Sequence, residues 1–380
     1  MTQENYQQKK LGILGGGQLG RMVIQAAINY NLEIHILDPD SNAPCKHLCQ
    51  SFSQGDLKDF DTVYAFGKAC DVITIEIEHV NTEALEKLQE EGKKVFPQPH
   101  IIRLIQDKRL QKQFYKDKGI PTAPFLLTAD KEAVREHSSF LPAVHKLGRE
   151  GYDGRGVQLI KSERDLDKAF EAPGLLEKFV DFEKELAVIV ARNEKGETKT
   201  FPVVECAFHP VHNLVEFLFS PAEIAPSLEK EARILAERVI DQLGMVGILA
   251  VELFLTKEGE LLVNEIAPRP HNSGHHTIEA NWVSQFEQHF RSVMNMPLGH
   301  TEARSPAAMV NVLGEEGYTG EALVEGMDEL LASEGVFIHL YGKKLTKPFR
   351  KMGHVTVLDE NLSSLKAKAQ FIKKTIKIKA

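Results

Sequence analysis

Leu249-Ala-Val-Glu-Leu-Phe-Leu255 and Glu260-Leu-Leu-Val-Asn-Glu-Ile266, joined by Thr256-Lys-Glu-Gly259, are the stretch whose reading decides the fold. Both segments are apolar and β-branched enough for strands, and a Glu-Gly pair between them suits a hairpin turn. A turn centred on Glu258 and Gly259 sets Glu252 directly opposite Glu265, with Asn264 one step away. Facing carboxylates about 5 Å apart repel and weaken a hairpin. A divalent cation between them cancels the repulsion, and Mg²⁺ favours one or two carboxylates completed by substrate phosphates. Read alone, the hairpin equally admits two solvated glutamates on a wet edge.

Outward from the hairpin, Leu11-Gly-Ile-Leu14, Leu32-Glu-Ile-His-Ile-Leu-Asp38 and Asp71-Val-Ile-Thr-Ile-Glu-Ile77 read as strands with helical stretches between them. That alternation predicts a parallel α/β unit over roughly the first 100 residues. Residues 107–118 read as a helix, which Gly119-Ile-Pro-Thr-Ala-Pro124 breaks. A small strand-helix-strand unit follows to about residue 190, then a larger α+β unit carrying the hairpin. Strands around Ala307–Leu313, Val336–Tyr341 and His354–Leu358 suggest a small β module at the end.

The 380 residues suffice for several cores, and 42% hydrophobic with 26% charged content describes an ordinary soluble protein. A net charge of −8 argues against a general nucleic-acid binder. The Lys-rich tail from Lys366 to Lys379 reads as the solvated face of a terminal helix. Cys45, Cys49, Cys70 and Cys206 have no ligand-spaced companions, so free thiols in a reducing compartment are expected, not zinc. The N-terminus has no apolar signal core, and no run of about 18 apolar residues occurs, so neither a membrane nor export is expected. The expected location is cytoplasmic.

Gly15-x-Gly17-x-x-Gly20 follows a strand and opens a helix, and Asp38 ends the next strand, which is the dinucleotide fingerprint. Any phosphate can use such a loop, and Gln18 could donate to a phosphate monoester. NAD, another phosphate and no ligand all remain open here. Further on, Val144-His-Lys146 leads into Gly151-Tyr-Asp-Gly-Arg-Gly156, where closely spaced glycines let main-chain N–H groups approach a polyphosphate beside a lysine. The order of lysine and glycines rules out a Walker A loop. Leu175-Leu-Glu-Lys-Phe-Val180 reads as an apolar strand whose edge could bind an adenine, with Glu185 placed for ribose hydroxyls.

Taken in order, these motifs resemble the ATP-grasp superfamily and, within it, the 5-(carboxyamino)imidazole ribonucleotide synthetases of purine synthesis. The resemblance rests on GGGQLGRM at 15–22, EIEHV at 76–80, GYDGRG at 151–156, NEIAPRPHNSGHH at 264–276, and YGK with RKMGH at 341–354. It implies an α/β and α+β architecture: a Rossmann-like domain at 1–105, a small lid domain with linker helix at 106–190, a large domain at 191–300 and a C-terminal β module at 301–380.

The resemblance also implies an ATP- and bicarbonate-dependent ligase acting on 5-aminoimidazole ribonucleotide, with Mg²⁺ (Mn²⁺ as a substitute), working as a homodimer. Lys108 and Lys146 would contact ATP phosphates, with Lys146 and Arg269 catalytic. Gly151, Tyr152, Asp153, Gly154, Arg155, Gly156 and Val157 would form the lid loop, and Glu177, Lys178, Phe179 and Val180 the adenine hinge, with Glu185 on the ribose. Glu252 and Glu265 would hold the metal beside Asn264. His209 follows Glu205-Cys-Ala-Phe, where the family has a Glu-Asn pair before its nucleotide-contacting histidine, and Ile77 stands where it usually has Phe.

On the acceptor side the resemblance assigns Gln18, Leu19, Glu76, Tyr152, Asp153, Arg155, Arg269, His271, Asn272 and Ser273. It gives the substrate's 5′-phosphate to Lys343 and Arg350, which by themselves read as surface charge. His271, His275 and His276 could suggest a metal, but Pro268, Pro270 and Gly274 make the segment a loop and deny them a shared helical face. Three rivals remain: another ATP-grasp carboxylase or ligase, an NAD-dependent dehydrogenase using the first glycine loop, and a non-enzymatic nucleotide-binding regulator.

Overall fold

The computed structural model describes residues 5–149, 151, 156–208 and 215–380. Its first layer is a parallel sheet in the order Ser51–Gln54, Glu33–Asp38, Lys10–Leu14, Val72–Ile75, Lys94–Val95. The central strands are apolar on both faces because helices cover both, as parallel sheets require. One face packs on helix Gln18–Ile28 and also on Phe286, Phe290, Val293 and Tyr341 from far along the chain. This shared core joins the glycine-loop unit to the rest of the protein.

The second layer is a four-stranded antiparallel sheet, ordered Phe125–Thr128, Gly174–Lys178, Ala143–Leu147, Val157–Ile160. Gly174–Lys178, expected to offer an edge to adenine, is instead a central strand. Its flanks are already paired, Glu177 with Phe125 on one side and with Val144 on the other. Even beyond its end, the Lys178 N–H donates to Pro124 O and the Phe179 N–H to Pro142 O.

The third layer is a nine-stranded antiparallel sheet running Leu261–Ala267, Gly247–Thr256, Phe182–Arg192, Val204–Phe208, Val215–Ser220, Ala307–Leu313, Lys351–Leu358, Val336–Leu340, with Thr198–Thr200 beside Phe182–Arg192. The C-terminal strands are present, but they do not form a sheet of their own. Ala307–Leu313 pairs with Val215–Ser220, so the large sheet continues through the C-terminal module and its edge is covered. Helix Leu362–Thr375 packs on this end through Leu365, Ala369 and Ile372. The lysines of the tail pair with acids around it: Lys368 with Asp359 at 2.7 Å, Lys379 with Glu325 at 2.8 Å, and Lys366 and Lys373 with Glu223 and Glu216. All four cysteines are free; Cys45 and Cys70 are buried, Cys49 and Cys206 only partly. Among the described residues no helix is long and apolar enough to cross a membrane.

Candidate functional site

Helix Lys108–Asp117 begins at Asp107, a buried carboxylate that caps the helix through Arg109 N and holds the Arg109 guanidinium at 2.6 and 2.9 Å. Asp107 also receives Arg149 Nε at 3.2 Å, and Lys108 N donates to Gly148 O. The root of the 151–156 loop is thereby tied to the start of the helix. One helical turn apart, Lys108 and Lys112 fall on the same face. Lys108 pairs with Glu265 and Lys112 with Glu177.

Glu265 lies directly opposite Glu252 across the hairpin of strands Gly247–Thr256 and Leu261–Ala267. The route to that register differs from the two-residue turn expected. Thr256 N donates to Glu260 O and Gly259 N to Thr256 O, with Gly259 at φ +86, giving a three-residue loop that needs glycine's left-handed conformation. Near the loop Leu253 faces Val263, but Glu252 faces Glu265, so Asn264 is an extra, bulged residue. The bulge frees Asn264 to accept from Lys146 Nζ at 3.1 Å.

Electrostatically the two facing carboxylates are driven apart. Burial, then Glu265 beside it, raises the pKa of Glu252; Glu265 is lowered because Lys108 and Lys146 outweigh its burial. The two facing carboxylates thus differ in electrostatic setting, and Lys108 is the cation paired with Glu265. His271 Nε2 lies 3.3 Å from Glu252 Oε1. Two facing carboxylates fit a Mg²⁺ that takes its other ligands from phosphates and water. Among the described residues no cluster of three or more His, Cys, Asp or Glu side chains is arranged to hold an ion alone.

Lys146 Nζ also donates to Glu177 Oε1 at 2.7 Å. Glu177, assigned from sequence to the adenine hinge, has its side chain held between Lys146 and Lys112, and Phe179 and Val180 follow past the strand end. Lys178 Nζ is likewise spent on Phe140 O and Leu141 O. Glu185 stands on strand Phe182–Arg192, opposite Phe254, with its pKa raised by burial to about 7. Gly151, Gly156 and Val157 flank the lid loop, with Gly156 at φ +72 and its carbonyl accepting from Leu147 N. Tyr152, Asp153, Gly154, Arg155 and His209 lie outside the described residues.

Arg269 reaches Glu78 with Nε at 2.8 Å, His271 Nδ1 meets Ser273 Oγ at 2.9 Å, and both amide atoms of Asn272 are buried without a partner among the described residues. Orphaned buried amides are costly unless something polar completes them, which suits a ligand-facing residue. Lys343 Nζ donates to Lys351 O at 2.8 Å, and Arg350 Nη1 to Leu345 O at 2.7 Å. Their turn is clamped by Gly314 N to Arg350 O and Phe349 N to Gly314 O, with Phe349 held at φ +63, a strained value for an aromatic residue. It abuts the glycine-loop helix, since a Cβ on Gly342 would stand 3.4 Å from Arg21 Nη1.

The glycine loop itself is plugged. Glu76 accepts from Gly17 N and Gly20 N, each at 2.7 Å, and Asp38 from Gly16 N at 2.6 Å. A helix N-terminus attracts anions, and here a carboxylate of the chain already fills it where Gln18 was expected to stand. Leu19 is in the core beneath. Sequence reasoning gave no role to Lys112, Thr122 or Glu78. Lys112 had a signal, its spacing of four from Lys108; Glu78 lies within EIEHV and Thr122 within 119–124, but neither segment showed what its side chain would meet.

Residues 8–106 match the family described as ribonucleotide synthetase preATP-grasp domain, 113–286 the ATP-grasp domain, and 307–368 the phosphoribosylaminoimidazole carboxylase C-terminal domain. The chain is 41% identical to a chloroplastic phosphoribosylaminoimidazole carboxylase of Vigna aconitifolia over 94% of its length, and spans 65% of that longer protein. It is 38% identical to N5-carboxyaminoimidazole ribonucleotide synthase of Bacillus subtilis, covering 92% of this chain and 91% of the relative. The crystal structure of N5-carboxyaminoimidazole ribonucleotide synthetase from Thermotoga maritima superposes with a TM-score of 0.91 at 45% identity, covering 98% of this chain and 99% of that one.

Proposed function

The chain belongs to the N5-carboxyaminoimidazole ribonucleotide synthase family, and from that membership we propose that it carboxylates the exocyclic amine of 5-aminoimidazole ribonucleotide with ATP and bicarbonate, in purine biosynthesis. The observation that carries this reading is the convergence of Lys108, Lys146, Glu252 and Glu265, from a linker helix, a lid strand and a hairpin, around Asn264 and Glu265. Bicarbonate is a poor electrophile. The γ-phosphoryl group therefore passes to a bicarbonate oxygen, its bond to the β,γ-bridging oxygen breaks, and ADP and carboxyphosphate result. The amine nitrogen then bonds to the carboxyl carbon of that species, or of CO₂ released from it. Phosphate leaves, and the nitrogen gives up a proton.

In such a transfer the protein's part is positioning and charge, with little covalent work. Lys108 and Lys146 hold the phosphates, the main chain of Glu177, Lys178, Phe179 and Val180 borders the adenine, and Glu185 meets the ribose. Glu252 and Glu265 would hold a Mg²⁺ or Mn²⁺, which would supply neutralisation of phosphate charge. Arg269, oriented by Glu78, steadies the developing negative charge. His271, Asn272 and Ser273 line the imidazole side; Gln18, Leu19, Lys343 and Arg350 take the ribose phosphate end. Glu76, in this reading, shapes the floor of that pocket from the helix entrance. Gly151 to Val157, with Tyr152, Asp153 and Arg155, close over the reactants and exclude water from a short-lived intermediate. The reading extends to a homodimer in the cytoplasm.

The test is ADP release measured with the ribonucleotide, with other amine acceptors, and with and without bicarbonate. Release that requires both the ribonucleotide and bicarbonate is expected. Release driven equally well by another acceptor would make the chain a different ATP-grasp ligase.

A further inference from the structure

Lys112 is the most deeply buried cation of the site, 3% exposed, yet no ligand role falls to it. Its ammonium is used up inside the protein: it pairs with Glu177 Oε2, lies 2.5 Å from Thr122 Oγ1 and sits 5.7 Å from the centre of the Tyr115 ring. Thr122 in turn donates to Val263 O, the residue before the Asn264 bulge. Glu177 is 4% exposed and shared between Lys112 and Lys146, and Lys146, at 11%, is the more exposed of the two lysines and also reaches Asn264 on the hairpin.

We propose that Lys112 is a positioning residue that neutralises Glu177, so that the charge of Lys146 stays available to the nucleotide's phosphates. The three charges decide it. Two lysines against one carboxylate leave a net positive charge, and the lysine nearer the cleft is the one that can present it. Without Lys112, Glu177 and Lys146 form a closed neutral pair. Lys146 is then drawn back toward Glu177, and its field at the phosphates collapses in a medium that screens poorly. Glu177 in turn serves Lys146 as a hydrogen-bond acceptor, a role a glutamine oxygen also fills, beside Asn264 on the hairpin that carries Glu252 and Glu265.

This inference rests on the ATP-binding reading, so binding is measured by calorimetry first on the wild-type protein, with ATP and with adenosine. Failure of the wild type to bind ATP would sink that reading itself; the variants test Lys112 separately. Lys112→Met should weaken ATP binding about ten- to a hundred-fold, the scale of one charge-assisted contact, and leave adenosine binding unchanged. The double variant Lys112→Met/Glu177→Gln, which restores the net positive charge, should bind ATP to within a few-fold of wild type. ATP affinity unchanged in Lys112→Met, or no recovery in the double variant, would overturn the proposal. Should Lys112→Met fail to fold, Glu177→Gln alone decides: ATP affinity held or increased supports the charge argument, and a ten-fold loss refutes it.

Discussion

Glu252 and Glu265 face one another across the hairpin because one extra residue, Asn264, is bulged out between Val263 and Glu265. They are not equivalent: Lys108 partners Glu265, while Glu252 lies 3.3 Å from His271 and has its pKa raised by burial and by Glu265. Substitution should expose that asymmetry. Glu252→Gln and Glu265→Gln should each abolish most ATP turnover, since either loss weakens the clamp on the β- and γ-phosphates. Without nucleotide, Glu252→Gln should melt at or above the wild-type temperature, because a destabilised carboxylate is gone. Glu265→Gln should melt lower, because Lys108 keeps its charge and loses its partner. Near-normal ADP formation in both variants at modest Mg²⁺ would end the metal assignment.

The plugged glycine loop predicts no binding of NAD or NADP at physiological concentrations, despite Gly15, Gly17, Gly20 and Asp38. A pyrophosphate would have to displace the Glu76 carboxylate from two N–H groups and stand beside its charge. Calorimetric titration should give no heat of binding. Micromolar affinity for NAD that Asp38→Ala removes would restore the dehydrogenase reading.

These two cases mark what the sequence could carry. The carboxylate pair was legible because a hairpin is local, so spacing alone proposes partners. Even so, the expected register holds at Glu252 and Glu265 only because two departures offset each other, a three-residue loop and the Asn264 bulge. Glu76 meets Gly17 from 59 residues away, and Lys112 meets Glu177 across a strand of another sheet. No periodicity reports such contacts, which exist only once the layers have packed. Likewise an apolar run announces a strand but not its neighbours. Gly174–Lys178 therefore passed for an edge, and the C-terminal strands for a separate sheet.

Buried histidines set the acid limb of stability. His275, His276, His289 and His354 are each at most 2% exposed, and burial lowers all four, His276 and His289 to about 3. In the unfolded chain they titrate near the ordinary value of about 6.5. Between those values the unfolded state binds protons that the native state refuses, so stability is full above about pH 6.5 and falls as pH drops toward 3. Urea midpoints should decline steeply from pH 7 to pH 5. His289→Gln should reduce that slope by about one proton, and a midpoint independent of pH over this range would contradict the assignment.

Arg350 offers the most discriminating test, because its charge looks like ordinary surface and its turn lies far along the chain from the metal carboxylates. The turn is nevertheless held, by Gly314, which bonds the Phe349 N–H and the Arg350 carbonyl, and by Phe349 in the left-handed region, while Gly342 ahead of it stands close to Arg21 of the helix that begins at Gln18. If Arg350 grips the ribose 5′-phosphate, Arg350→Ala should raise the KM for aminoimidazole ribonucleotide by about one to two orders of magnitude, since a charge-assisted hydrogen bond contributes roughly 1.5–3 kcal/mol. The KM for ATP should hardly move. Arg350→Lys should recover only part of the loss, because a point charge cannot reproduce the guanidinium fork, and because the bond to Leu345 O that steadies the turn is lost as well. The phosphate-free nucleoside should be a poor substrate for the wild type and suffer little further in Arg350→Ala, the coupling expected of two groups that touch. Equal damage to nucleotide and nucleoside turnover would mean that Arg350 acts by holding its own turn together, and the phosphate would have to be sought at Lys343.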